Sequence, residues 1–361
     1  MGVKETSEES SGDGDTAGEK KAPAVQYVHT TDMPEVLASL NLSLLISTYQ
    51  AQRIMTISST GERLFMLMRV FERPTGISHK ERSMALMTKR QVWFFEDSGH
   101  VQNLDGDALP YDLNYVPRRS HVTGDISGHE LGWHNDEMII VNTRFSCLCK
   151  LDPAWSFVPY WTPPFVSKVA PEDRCHLNGM VMDSKGPKYV TALGETDTEE
   201  GWRENKVKGG VIVDVPSGEV VSRGIAMPHS PRLHAGRLWV LESGTGSLQV
   251  VDPKDGKRTT VVQLPGYLRG LAFFDRYAFV GSCKTRGDRE TFGGMPIEEM
   301  VDVLKCAVYL VDISRGEVLG FIEFTKGIEE LFDVHVLPGV RNPHIIGFEE
   351  ETLDGLFVVN I

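Results

Sequence analysis

Along this chain a short run of apolar and β-branched residues, a turn of Gly, Asn, Asp or Ser, and a second such run form a recurring unit. The clearest copies span residues 44–58, 84–97, 138–152 and 238–252, and interrupted copies span 189–214, 278–312 and 344–360. Large apolar side chains alternate with polar ones on either side of each turn, which is the signature of a β-hairpin. Seven hairpins are therefore expected.

A second element precedes six of them, at 73–77, 129–133, 176–180, 229–233, 267–271 and 332–336. Each combines small or polar residues with one apolar anchor. That composition suits the innermost strand of a propeller blade, where chains crowd an axis and face a solvated channel. Strand-only repeats of this length predict an all-β, single β-propeller, and the helical period of a solenoid is not found. Seven blades is the preferred count and six the alternative. The first hairpin lacks an inner strand and the last lacks an outer one, so N- and C-terminal strands are expected to pair and close the ring, with 357–361 as the C-terminal partner.

Residues 1–24 stand apart, because they are rich in Glu, Ser, Gly, Asp and Lys and carry no aromatic residue. Ordering them would cost entropy with little burial in return, so they are expected to form a disordered acidic tail, with the propeller domain at 25–361. The opening residues fit an N-myristoylation pattern formally; a solvated leader is the plainer reading.

Over the 361 residues, 41% are hydrophobic and 24% charged, enough for a sizeable core. The formal net charge of -13 argues against a general role on nucleic-acid phosphates. No run of apolar residues is long enough for a membrane span, and no secretory leader is evident, so a cytoplasmic location is expected. The five cysteines agree, being odd in number and scattered. Cys147 and Cys149 share one face of an expected strand, where a soft metal or, more simply, a core accounts for them.

The candidate chemistry lies in the inner-strand copies. Aligned on the apolar anchor, three consecutive copies place His129, His176 and His229 at one position, where neutral imidazoles can converge on a divalent transition metal (Fe, Cu or Zn) and leave room for water or substrate. Hydrogen-bonded channel lining without a metal is the plainer alternative, and His121 or His335 is a candidate fourth ligand. Glu195, Glu242, His121 and Asp125 are candidates for acid–base work or for orienting an imidazole. Arg73, Arg144, Arg232 and Arg269 are candidates for pairing with an anionic substrate, or for salt bridges between blades. Tyr267 and Trp202 join them as candidate substrate-binding residues. Trp202 lies in an insertion at 197–206, and a second insertion runs over 284–305; long insertions on one rim commonly form a substrate mouth.

Taken together, the stretches PRRSHVTGD (117–125), APEDRCHLNG (170–179), ALGETD (192–197), GWRENK (201–206), MPHSPR (227–232) and LPGYLRG (264–270) resemble a family of uncharacterised, mainly bacterial conserved proteins, a domain of unknown function. That resemblance implies no activity. A looser architectural similarity is to propeller enzymes with a metal on the axis, the amidating lyases and carotenoid-cleaving oxygenases. The resulting expectation is a metal-dependent enzyme of oxidoreductase or lyase type with a small-molecule or peptide-like substrate. A non-catalytic scaffold for a protein or peptide and a sugar or anion binder are the rivals, and the oligomeric state is left open.

Overall fold

A computed structural model describes residues 2–7, 24–99, 111–284, 293–347 and 357. Six antiparallel blades surround an axis. The inner strands of the second to sixth blades are Ile77–Lys80, Gly128–His134, Leu177–Asp183, Pro228–His234 and Tyr267–Phe274. Each continues through consecutive strands to the outer edge of its own blade.

The first blade is built differently. Its inner strand is Asp333–Pro338, which pairs with Leu42–Thr48 from the other end of the chain, and Arg53–Ser59 and Leu64–Val70 complete it. The count is therefore six, the alternative, and the preferred seven is corrected. All six expected inner-strand copies sit at the axis. The sixth copy, however, serves the first hairpin and not the one read at 344–360. Pro343–Ile345 instead runs parallel to Leu113–Val122 on the outer edge of the second blade, and the rest of that hairpin, with the closing strand expected at 357–361, lies outside the described residues apart from Phe357.

Closure is thus double. The C-terminal Asp333–Pro338 enters the first blade, while N-terminal Gln26–Thr30 pairs with Glu317–Lys326 on the outside of the sixth. Val3–Ser7 extends that sheet by pairing with Gln26–Thr30, so the tail expected at 1–24 is not wholly excluded from the fold. An outer strand is held by backbone hydrogen bonds, and a segment with little to bury can supply those.

Second strands lie between neighbouring blades and are covered on both faces; Leu42–Thr48 is buried at every position. This explains why they read as nearly continuous apolar runs. Inner strands crowd one another. A Cβ at Gly76 would stand 2.3 Å from the carbonyl oxygen of His129, and one at Gly270, whose φ is +81°, 2.7 Å from the amide nitrogen of Val334. Only glycine fits such approaches. Cys147 and Cys149 are buried in an apolar cluster between blades, where burial pushes the Cys147 thiol up to about 12.

Candidate functional site

The inner strands all begin at one face of the ring, the entry face, and end at the other, the exit face. Connections between second and third strands return to the entry face, so the insertion at 197–206 and the described part of the one at 284–305 belong there. Contacts bear this out: Trp202 packs its ring 4.5 Å from that of His176, and Tyr267 donates to Glu298 at 2.7 Å.

At the entry face the rings of His129 and His176 meet edge to face at 5.2 Å, and His129 also touches Phe332. Each of the three aligned histidines is held through Nδ1. That of His129 lies 2.9 Å from the Ser127 carbonyl and 2.6 Å from the Thr143 hydroxyl, which itself donates to Leu177. His176 donates to Asp173 at 2.7 Å and His229 to the Met227 carbonyl at 3.0 Å. In the neutral ring the lone pair is therefore on Nε2.

His129 and His229 hold corresponding places, each four residues before its anchor with Nδ1 against the carbonyl two residues earlier, whereas His176 lies outside its strand. His129 falls inside a bulge between Gly128 and Leu131, His229 is the last paired residue before a bulge, and His176 precedes its strand. Among the described residues, no group of three or more His, Cys, Asp or Glu is placed to hold a metal ion.

The other candidates are mostly spoken for. Glu195 pairs with Arg223 at 2.7 Å, and Asp125 lies 3.4 Å from Arg144. Buried Glu242 accepts from the Ala226 amide at 2.9 Å and from Gln249 at 2.6 Å. His121 is on the outer strand of the second blade, 3.1 Å from the Ser156 carbonyl, away from the axis. Arg73 lies over the ring of Tyr49, and Arg269 stacks on Phe332 at 3.6 Å beside Glu330.

Arg232 is different, because it crosses the axis. Its Nη1 donates to Glu130 Oε1 at 3.0 Å and to the Pro231 carbonyl at 2.9 Å; Nη2 reaches Asp333 Oδ1 at 3.4 Å; Nε donates to the Leu271 carbonyl at 2.8 Å. Glu130 Oε2 accepts the Met180 amide at 2.7 Å, and Asp333 Oδ2 accepts the Ile77 amide at 3.1 Å. These bonds engage the inner strands of all six blades. Burial pushes the Glu130 carboxyl up against the pull of Arg232. Burial also opposes ionisation of Asp333, but His335 and Arg232 outweigh it and hold that carboxyl below its usual range.

This polar floor closes a cavity of about 570 Å³. Its walls come from the later parts of the inner strands and include Lys80 and Asn135 beside the first turns of their blades, so it lies toward the exit face, opposite the insertions. His335 lines it and donates from Nε2 to Asp333 Oδ2 at 3.0 Å. His79 stands edge to face against His335 at 5.4 Å. Burial, then the neighbouring His335, push the His79 imidazole down to about 4 despite Asp333, so it is neutral near pH 7. Trp133, Met180 and Met182 give one side an apolar character. A size of this order suits a small molecule.

Glu130, Asp333 and His79 are not among the candidates read from sequence, and His335 stands there only as a candidate fourth metal ligand. Three of them lie in or beside the inner-strand copies, and a charge in a motif otherwise small and apolar is the signal that it needs a buried partner.

Similarity to a solved structure supports the propeller fold. A chain from a nidogen/laminin complex matches with a TM-score of 0.52 and 10% identity, over 83% of this chain and 99% of that one. A protein of unknown function from Bacteroides caccae matches with a TM-score of 0.48 and 9% identity, over 82% of this chain and 98% of that one. No curated protein matches the chain. The model of a family described as a domain of unknown function, DUF4915, matches residues 31–346, and the chain belongs to that family.

Proposed function

We propose that this propeller is an enzyme that moves a proton on a small molecule held in the exit-face cavity. The observation that carries this reading is the Asp333–His335 bond at the cavity wall. A carboxylate that stays ionised fixes one imidazole nitrogen as the donor toward itself, and leaves the other, Nδ1, as the proton acceptor for a ligand. Neutral His79 beside it has both a donor and an acceptor and carries no charge to repel an imidazolium formed at His335. The lyase-type chemistry expected from the sequence needs such a base, so it is retained at this end of the axis.

A screen of small molecules against protein labelled at histidine tests the reading. A substrate is expected to shift the His79 and His335 ring signals, and His335→Gln to cut kcat by 10²-fold or more, a typical scale for a general base, with binding largely kept. Substrates that act only on the His129 and His176 signals would sink it.

A second reading, a scaffold for a protein partner, draws on the outer strand of the third blade, Trp155–Trp161, where Trp155 and Tyr160 are exposed. Loss of a partner on Trp155→Ser with turnover intact would favour it.

A further inference from the structure

The charges around the cavity restrict what can enter it. Resting on the acid–base reading above, we propose that its ligand is a small protonated amine, with the ammonium directed at the Glu130 and Asp333 carboxylates and the carbon chain against Trp133, Met180 and Met182.

With His335 neutral, as the acid–base reading requires, two buried carboxylates face one guanidinium on the floor, an excess of one negative charge. The guanidinium has little to offer an anion. Nε, Nη1 and Nη2 donate to four protein oxygens and leave one of five N–H groups, so bidentate pairing with an incoming carboxylate or phosphate would have to displace bonds that tie blades together. Lys80 is the other cation on the wall, and it stands at the rim, half-exposed and 3.7 Å from Asp136. His79 adds no fixed positive charge.

A carboxylate ligand would thus be desolvated against two carboxylates with no unspent cation deep in the cavity, which is costly in a low-dielectric site. An ammonium supplies the missing positive charge and donates to Glu130, whose oxygens each accept one bond, while Asp333, already accepting from Ile77, Val334, Arg232 and His335, attracts it by charge. Glu130 strengthens the argument: both of its oxygens accept hydrogen bonds, which favours the ionised form, while burial works against it, so a cation beside it satisfies a strained carboxylate. The indole and the two thioethers suit an alkyl chain and tolerate a cation near a ring face.

The test is a matched series on the intact wild-type protein, n-butylammonium, 1-butanol and butyrate, followed by the histidine ring signals and by calorimetry. Butylammonium is expected to saturate while shifting His79 and His335, to bind at least tenfold tighter than butanol, and to leave butyrate with no measurable binding. In Glu130→Gln the ammonium should lose about tenfold in affinity and butanol should be unchanged. The series on the wild type decides the matter if that variant does not fold. Binding of butyrate or butanol in the cavity as tight as the ammonium, or no shift with the ammonium, overturns the amine class. That outcome is separable from failure of the acid–base reading, which shows as undiminished turnover of a screened substrate in His335→Gln.

Discussion

Arg232 and Asp333 meet across the axis, Nη2 3.4 Å from Oδ1, although they are 101 positions apart and belong to the fifth and first blades. Asp333 also takes the Ile77 and Val334 amides, at 3.1 and 2.9 Å, and the His335 ring. Removing the carboxylate leaves a buried guanidinium and two buried amides short of partners. Asp333→Ala should therefore cost about 3–5 kcal/mol, the scale for breaking a buried pair from one side. Replacing Arg232 and Asp333 together by Met and Leu should cost clearly less than the sum of the single changes, since no lone charge is then left. Urea unfolding of the three variants measures this, and additive costs would show that the two residues act independently.

Acid should weaken the fold through His79 in a defined window. The ring takes up a proton near its ordinary 6.5 in the unfolded chain but only at about 4 in the folded one. Its contribution is complete above pH 6.5 and is lost as pH falls from there to about 4, because over that range the unfolded state binds the proton and the native state does not. His344, held at about 4 by burial and by Arg69, acts in the same direction. His79→Gln should remove on the order of 2 kcal/mol of the acid loss between those limits and leave the His344 share. Unfolding free energies at pH 7 and pH 4.5 for both proteins provide the comparison; equal acid losses would contradict it.

The inner-strand motif was legible because the axis imposes it. Crowding demands small residues such as Gly76 and Gly270, and a single anchor is all that each short strand can bury. The blade count was not, since residues 332–336 precede one hairpin in sequence yet pair with Leu42–Thr48 from the other end of the chain. No local pattern carries that pairing. Among the described residues the aligned histidines form no group of three placed to hold a metal ion, although the bulges at Gly128/Leu131 and His229/Arg232 each shift the register by the same single residue. Glu130 and Asp333 were passed over because each sits beside a histidine that looked more informative, whereas the buried charge was the stronger demand on its surroundings.

Trp202 is 1% exposed and fills the space between its insertion and His176. Trp202→Ala leaves a cavity that the rigid blade cannot close, so a loss of about 3–5 kcal/mol is expected. The exit-face cavity should not notice: butylammonium should bind the variant as it binds the wild type. Calorimetry on the folded variant reads this, and a large loss of binding would mean that the two ends of the axis are coupled.

The two closures of the ring differ in what they protect, and truncation separates them. Asp333–Pro338 gives Leu42–Thr48 its inner partner and carries the carboxylate that engages the first, second and fifth blades. Deleting residues 332–361 strips an inner strand, bares a fully buried second strand and removes the keystone charge, so the chain should lose its cooperative unfolding transition. Deleting residues 1–7 removes only the outermost strand of the sixth blade, which pairs along one edge. That variant should keep its Tm within about 4 °C, the shift that roughly 1 kcal/mol produces in a large domain. A synthetic peptide of residues 330–347 added to the C-terminal truncation should restore the transition, because the missing strand pairs through its own backbone and carries Asp333 with it. Calorimetric scans of the two truncations, with and without the peptide, decide the point: a truncated chain that melts normally without its inner strand would show that closure from the N-terminal side alone suffices.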